Sequence, residues 1–188
     1  YLIKALTLAK ERSGCCAPNP CVGAIIVKNN RIIAEGSHLK AGAPHAEIIA
    51  IKQANKDTKG ATLYVTLEPC AHSGRTPPCV DAIIKGKFNH VFFAYRDPNP
   101  DVCGNGQHAL QQAGITCEQY PVAEIDQFYQ AYHYWSLNKK PWVTIKLALS
   151  LDGKIAFANS CSGNGYNCSI LTIAILLPFT CWRFSIKS

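Results

Sequence analysis

The amino-acid sequence contains no methionine among its 188 residues. Because translation starts at methionine, we expect that Tyr1 is not the natural start and that the N-terminus has been trimmed or is missing. Charged residues are scarce as well, at 16% against 48% hydrophobic residues, which excludes a disordered chain. The length allows one domain with a real hydrophobic core, or one domain and a fragment.

We expect neither a membrane-spanning segment nor a signal peptide. The apolar run Ile170–Phe179 is about ten residues long, whereas roughly twenty are needed to span a bilayer. We therefore expect no membrane partner, a cytoplasmic location and an exposed apolar tail. The net charge of +7 favours anionic partners, whether phosphate esters or nucleic acid.

Cysteine is abundant, with ten residues. Small secreted domains use such numbers for disulfides, but the spacing here is not that of a small disulfide scaffold. Two of the cysteines fit a metal site. We interpret the others, such as Cys15, Cys16, Cys103 and Cys117, as reduced thiols in a cytosol.

Hydrophobic periodicity and turn signals predict helices that alternate with strands. The predicted helices are one from Leu2 that closes before Gly14, then His45–Ala54, Val80–Ile84, Gln107–Ala113 and Ala123–Leu137. The predicted strands are Val22–Val27, Ile32–Glu35, Ala61–Leu67, His90–Tyr95 and Ile115–Glu118. This order predicts an α/β fold of three layers, with a central mixed sheet between helices.

Three residues of the sequence have the chemistry of zinc ligands. His45 begins a predicted helix, Cys70 follows the next strand, and Cys79 opens the helix after it. One imidazole and two thiolates suit Zn²⁺, and they leave its fourth position for water, whose pKa falls to about 7. Glu47, two residues after the histidine, would take the water's proton and pass it to a ring nitrogen and then to a departing amine. The set therefore predicts hydrolytic deamination.

Each of these residues alone also has an ordinary structural explanation. A histidine or glutamate at a helix start commonly caps the helix or complements its dipole, and two separate cysteines are commonly core thiols. The joint pattern of H-A-E at a helix start, E-P-C after a strand and a cysteine that opens a helix favours catalytic zinc. A structural zinc site would need four protein ligands, and His72 would be the fourth.

Several further motifs make the chain similar to a known family: Pro18-Asn19-Pro20, Gly60–Cys70, Gly74–Cys79, Asp97–Pro100 and Ser150–Ala156. From about Leu2 to Ala156 the chain resembles the N-terminal deaminase half of the bifunctional riboflavin-biosynthesis deaminase/reductase, within the cytidine-deaminase-like superfamily. Nucleoside and tRNA deaminases place their two cysteines as C-x-x-C. The longer spacing between Cys70 and Cys79 and the insert G-R-T-P-P are typical of the riboflavin family.

The resemblance implies a reaction and a set of substrate contacts. Water would replace the 2-amino group of 2,5-diamino-6-ribosylamino-4(3H)-pyrimidinone 5′-phosphate, which gives 5-amino-6-ribosylamino-uracil 5′-phosphate and ammonia. The cofactor would be zinc, with NADPH only where a complete reductase domain is present, and the assembly could be a homo-oligomer. The residues that match the family's substrate contacts are Asn19, His38, His72, Arg75, Asp97 and Asn99. Some of them also suit purely structural roles, because Asp97 and Asn99 lie between prolines, where turn residues are common.

The resemblance also implies a division of the chain. We expect a deaminase domain over residues 1–120, a connecting helix over 121–140, a first-strand fragment of a reductase domain over 141–159, and a tail outside the family over 160–188.

Three other functions stay open on the sequence alone. The basic charge would also suit a deaminase of nucleosides or tRNA, although the cysteine spacing disagrees and no aromatic and basic patch adjoins the site. A degenerate remnant without catalysis and a zinc-binding interaction module are the others. We expect a phosphorylated pyrimidine as the partner and no nucleic acid.

We predict that this chain alone has no reductase activity, because too few residues follow Ala156 to form a nucleotide-binding domain. The measurement is NADPH oxidation with the deaminated pyrimidine phosphate as substrate, beside a complete bifunctional enzyme as the positive control. Any turnover by this chain alone would contradict the prediction.

Overall fold

The structure of the chain, a computed structural model, describes residues 1–72, 76–100, 102–144, 174–177 and 180–183. The helices are α1 Leu2–Lys10, α2 Ala46–Gln53, α3 Cys79–Lys85, α4 Asn105–Gln112 and α5 Ala123–Asn138. The strands are β1 Gly23–Lys28, β2 Arg31–Ser37, β3 Thr62–Leu67, β4 His90–Tyr95, β5 Thr116–Gln119, β6 Ala174–Leu177 and β7 Thr180–Arg183. All helices and strands predicted up to residue 138 are present, within about three residues of their predicted bounds.

Strands β1 to β5 form one mixed sheet in the order β2-β1-β3-β4-β5. Strand β1 pairs antiparallel with both β2 and β3, whereas β3, β4 and β5 run parallel to one another. Strand β1 is buried along most of its length, as expected for an inner strand covered on both faces. The predicted mixed sheet is therefore confirmed.

Helices cover both faces of this sheet. One face packs against α2, α3 and α4 through a cluster that includes Ala24, Ile26, Leu63 and Val65. Neighbouring residues on the strands point to the other face, where Ile25 packs near α1. Helices α1 and α5 share a second cluster on that face with Leu67. The three-layer α/β/α fold is thus as predicted.

Strands β6 and β7 form a separate antiparallel pair, with Ala174 opposite Arg183 and Leu177 opposite Thr180. The sequence analysis did not predict this hairpin, although β6 lies inside the apolar run Ile170–Phe179. No helix in the described part of the chain has the length and hydrophobicity needed to cross a bilayer.

The sheet topology brings several loops to one edge. Because β3 and β4 are parallel, the loops that follow them leave the sheet side by side. Strand β1 is antiparallel to β3, so the loop before β1 and the loop after β2 arrive at the same edge. This edge carries residues 18–22, 38–45, 68–72, 76–78 and 96–100.

A buried polar network attaches α5 to this part of the fold. The hydroxyl of Tyr129, which is 1% exposed, donates to the carbonyl of Cys21 at 2.8 Å and lies 2.7 Å from Thr66 Oγ1. Thr66 Oγ1 in turn accepts the backbone N–H of Gly23 at 3.2 Å. One hydroxyl on α5 thereby satisfies groups on the loop before β1 and on β3.

We predict that Tyr129→Phe lowers the free energy of unfolding by about 1–3 kcal/mol, because it removes a partner from buried polar groups. Tyr95→Phe is the matched control, since Tyr95 makes an exposed hydrogen bond to His133 of the same helix at 2.8 Å, and its loss should cost about 0.5 kcal/mol or less. Urea unfolding of both variants measures the difference. Equal stabilities would contradict the role of the network.

Candidate active site

Three elements bring the predicted zinc ligands together. His45 is the N-cap residue of α2, Cys70 follows β3, and Cys79 is the first residue of α3. His45 Nδ1 lies 3.1 Å from Cys79 Sγ and 3.5 Å from Cys70 Sγ, and the three ligand atoms are all within 4.8 Å of one another. Among the described residues these three form the only group of this kind.

This donor set fits a zinc ion. Tetrahedral zinc with Zn–N near 2.0–2.1 Å and Zn–S near 2.3 Å places its ligand atoms roughly 3.5–3.8 Å apart, close to the distances found here. One imidazole and two sulfurs are also the ligand types that Zn²⁺ prefers. His72 is not a member of the group, so the described residues supply three ligands, as a catalytic rather than a structural site does.

The two cysteines are prepared for metal binding by their hydrogen bonds. The bond from the Cys79 thiol, with those from His45 and the Cys79 backbone, lowers the pKa of Cys70 to about 4. The backbone N–H of Cys79, at the start of α3, reaches Cys70 Sγ at 3.3 Å. The hydrogen bond with Cys70 is the largest cause that raises the pKa of Cys79, and burial is the second. One proton therefore serves both sulfurs, and a metal would replace it.

Thr76 orients the imidazole of His45 from the other side. Its Oγ1 lies 3.2 Å from His45 Nε2, while Nδ1 faces the two sulfurs. With Nδ1 as the metal ligand, Nε2–H donates to the threonine hydroxyl and fixes the tautomer. Thr76 belongs to the G-R-T-P-P insert, but the sequence analysis gave it no role.

Glu47 lies in the first turn of α2, two residues after His45, and is only 3% exposed. Burial, followed by the nearby charge of Cys70, raises the pKa of this carboxyl to about 6. Its side chain lines the same cavity as His45 and Cys70. A carboxyl whose pKa is close to the ambient pH can both accept and return a proton.

The cavity has a volume of about 410 Å³. It is bordered by His45, Glu47 and Cys70 and by most of the predicted substrate contacts. Those that line it are Asn19, His38, His72, Asp97 and Asn99. Arg75, the sixth predicted contact, lies outside the described residues.

His38 and Asn19 are tied to each other at the cavity wall. His38 Nδ1–H donates to the carbonyl of Pro44 at 3.1 Å, since a carbonyl can only accept. Burial lowers the pKa of His38, so its neutral ring presents Nε2 as an acceptor for the Asn19 amide at 3.1 Å. The amide nitrogen of Asn19 therefore donates to His38, and the carbonyl oxygen of Asn19 can accept from another partner.

Asp97 is held in a tight turn after β4. It is 8% exposed, and its Oδ1 accepts the backbone N–H of Asn99 at 2.9 Å and the hydroxyl of Tyr132 at 3.1 Å. The turn expected from the flanking prolines is therefore present, and it also directs both residues to the cavity. The structural and functional explanations of Asp97 and Asn99 are compatible.

Glu68 has a role that the sequence analysis missed. This buried carboxylate accepts the backbone N–H of Gly104 at 3.0 Å and that of Gln107 at 3.1 Å, and so caps the N-terminus of α4. A Cβ on Gly106 would lie 1.8 Å from the carbonyl oxygen of Pro69, so the helix approaches the loop closely. In the sequence, the only sign of this capping role is the glutamate of E-P-C itself.

Helix α5 also reaches the cavity, which no sequence motif indicated. Tyr132 and Trp135 both line it. Besides Cys70 and Cys79, the free thiols of the described residues are Cys15, Cys16, Cys21, Cys103 and Cys117.

We predict that Thr76→Val weakens zinc binding by about 10–100-fold, because His45 loses the partner that orients its ring. Zinc competition with a chromophoric chelator measures the change without any need for catalysis. Thr116→Val, at an exposed threonine on β5, is the control and should bind zinc as the parent chain does. Unchanged affinity in Thr76→Val would contradict the orienting role.

Most of the chain is similar in sequence and structure to known proteins. The riboflavin biosynthesis protein RibD of Aquifex aeolicus is 47% identical over 161 residues, which cover 83% of this chain and 44% of that protein. The solved structure of RibD from Acinetobacter baumannii matches with a TM-score of 0.79 and 44% identity, over 87% of this chain and 46% of that one. A solved diaminohydroxyphosphoribosylaminopyrimidine deaminase/5-amino-6-(5-phosphoribosylamino)uracil reductase from Thermotoga maritima matches with a TM-score of 0.78 and 45% identity, over 83% and 46%.

The chain thus spans about half the length of the relatives that it matches. The predicted resemblance to the deaminase half of the riboflavin-biosynthesis enzymes is confirmed by these similarities. A family model described as the cytidine and deoxycytidylate deaminase zinc-binding region matches residues 1–95, the range that contains His45, Glu47, Cys70 and Cys79. With this match, its three-layer fold and its three zinc-type donors, the chain belongs to the cytidine and deoxycytidylate deaminase zinc-binding family.

Proposed function

We propose that the chain is a zinc-dependent hydrolase that deaminates 2,5-diamino-6-ribosylamino-4(3H)-pyrimidinone 5′-phosphate. The observation that carries this proposal is the single cavity in which zinc-type donors, a buried glutamate and several polar side chains meet. His45, Cys70 and Cys79 would hold the metal at this cavity, and Glu47 would move protons. Asn19, His38, His72, Arg75, Asp97 and Asn99 are the proposed substrate contacts.

The reaction replaces one C–N bond by one C–O bond. When bound, zinc supplies Lewis-acid activation of a water molecule. Glu47 would take a proton from a water in the cavity and deliver it to the ring nitrogen beside the attacked carbon, which makes this carbon electrophilic, and the water oxygen would then form the C–O bond. Glu47 then takes the remaining proton of this oxygen and passes it to the 2-amino group, so that the C–N bond breaks, ammonia leaves and the carbon keeps the oxygen as a carbonyl. No external oxidant or reductant is needed.

The polar residues of the cavity suit a pyrimidine ring. Asp97 accepts hydrogen bonds from an amino group, and the Asn19 amide can pair with a ring edge. The volume of about 410 Å³ is in the range of small-molecule sites. The Thermotoga maritima relative is a diaminohydroxyphosphoribosylaminopyrimidine deaminase, which supports the choice of substrate.

The same proposal includes a phosphorylated small molecule as the partner, no nucleic acid and a cytoplasmic location. A homo-oligomer stays a prediction, which sedimentation of the purified chain would check. The division at residues 120, 140 and 159 also stays a prediction.

We predict that Glu47→Gln lowers kcat for ammonia release by about 10²–10⁴-fold, because the amide cannot carry the proton. Zinc is measured in the same samples and should stay near one per chain. Glu35→Gln is the control, since Glu35 is a partly exposed residue paired with Lys4 outside the cavity. Its activity should equal that of the parent chain.

Cytidine and tRNA are tested beside the pyrimidine phosphate. Turnover confined to the pyrimidine phosphate supports the proposal, and faster turnover of cytidine or tRNA overturns the substrate. A chain that retains zinc but releases no ammonia from any of the three would overturn the catalytic assignment.

A further inference from the structure

Tyr132 of α5 makes a contact that the proposed reaction does not yet use. It lines the cavity, and its hydroxyl donates to Asp97 Oδ1 at 3.1 Å. The backbone N–H of Asn99 donates to the same oxygen at 2.9 Å. Both hydrogen bonds that the described residues give to this carboxylate therefore end on Oδ1, so that Oδ2 is the oxygen left to accept from a ligand.

The direction of this hydrogen bond is fixed by chemistry. An ionised carboxylate can only accept, so the phenol must donate. Burial raises the pKa of Tyr132, and the charge of Asp97 raises it further, so the phenol keeps its proton at neutral pH. Asp97 is 8% exposed, and a buried carboxylate needs such donors to stay in one orientation.

The position of Tyr132 is set by a rigid element. Tyr129, one turn earlier on α5, is fixed by its bonds to Cys21 and Thr66. Ile125 of the same helix lies in the hydrophobic cluster with Leu67, the last residue of β3. The hydroxyl of Tyr132 is thus presented to the turn after β4 by a helix that packs on the sheet itself.

We propose that Tyr132 is a positioning residue, which orients Asp97 so that the Oδ2 atom of this carboxylate accepts from the amino group of the substrate pyrimidine. The identity of that substrate rests on the proposed function. The positioning of Asp97 does not, because the hydrogen bond exists in the chain without any ligand. Helix α5 lies outside residues 1–95, which the deaminase family model matches.

The experiment compares Tyr132→Phe with Tyr95→Phe in the full chain. Both remove one tyrosine hydroxyl from the interface of β4 with α5, but the bond of Tyr95 goes to His133 and Tyr95 does not line the cavity. We expect Tyr132→Phe to raise KM about five- to twentyfold, as for the loss of a hydrogen bond to a charged group, with kcat within about threefold. Tyr95→Phe should leave both constants unchanged. A fall in kcat at constant KM would overturn the proposal.

A double-mutant cycle decides whether Tyr132 acts through Asp97. Calorimetry measures binding of the substrate, which still carries all its amino groups, to four chains: a Glu47→Gln parent chain, which does not turn it over, and the same chain with Tyr132→Phe, Asp97→Ala or both. If the tyrosine acts through the aspartate, Tyr132→Phe weakens binding in the parent chain but changes it less than about twofold when Asp97 is already alanine. Independent, multiplying effects would mean that Tyr132 contacts the ligand itself, and would overturn the proposal.

Amide hydrogen exchange separates this inference from the proposed function. The N–H of Asn99 should exchange faster in Tyr132→Phe than in Tyr95→Phe, because Asp97 holds this N–H less firmly. Faster exchange in a chain that neither turns over the pyrimidine phosphate nor binds its product would keep the positioning role and reject the substrate. Equal exchange in the two variants would reject the positioning role even if the chain is an active deaminase.

Discussion

The parallel pairing of β3 with β4, beside an antiparallel β1, is the constraint on which the site depends. Parallel strands leave the sheet in the same direction, so Cys70 after β3 and Asp97 after β4 emerge side by side. The antiparallel strand reverses the chain and delivers Asn19 to the same edge. The zinc-type donors and the proposed substrate contacts can therefore adjoin, although they come from segments far apart in the sequence.

The N-termini of α2 and α3 lie at this edge, beside the zinc-type donors. His45 caps α2 and Cys79 opens α3, so two helix N-termini, with their partial positive charge, lie beside the positions where thiolates and a zinc-bound water would carry negative charge. The hydrogen bond from the Cys79 N–H to Cys70 Sγ is one such contact between a helix N-terminus and a sulfur. The N-terminus of α4 also faces a negative charge, because its backbone N–H groups donate to the carboxylate of Glu68. This contact holds α4 against the loop that carries Cys70.

The elements and the zinc ligands could be predicted from the sequence, because both leave local signals. Strands and helices up to residue 138 follow from periodicity, and His45, Cys70 and Cys79 follow from residue type and spacing. The roles of Thr76, Glu68 and Tyr132 could not be predicted, since their partners lie 31, 36 and 35 residues away in the chain and no periodic pattern links them. The β6–β7 hairpin could not be predicted, because a short apolar run such as Ile170–Phe179 has no periodicity that distinguishes a strand from a helix.

Helix α5 contributes to the cavity, so the boundary of the proposed deaminase domain lies after it. The expected division treats residues 121–140 as a connector, yet a connector need not share a core with the sheet or reach into its cavity. Here Tyr129 satisfies buried groups on the loop before β1 and on β3, and Tyr132 holds the carboxylate that follows β4. A cut at residue 120 would expose Thr66 and leave Asp97 with the backbone N–H of Asn99 but without its phenol donor. The smallest unit that retains the complete cavity therefore ends after α5, at Asn138 or beyond.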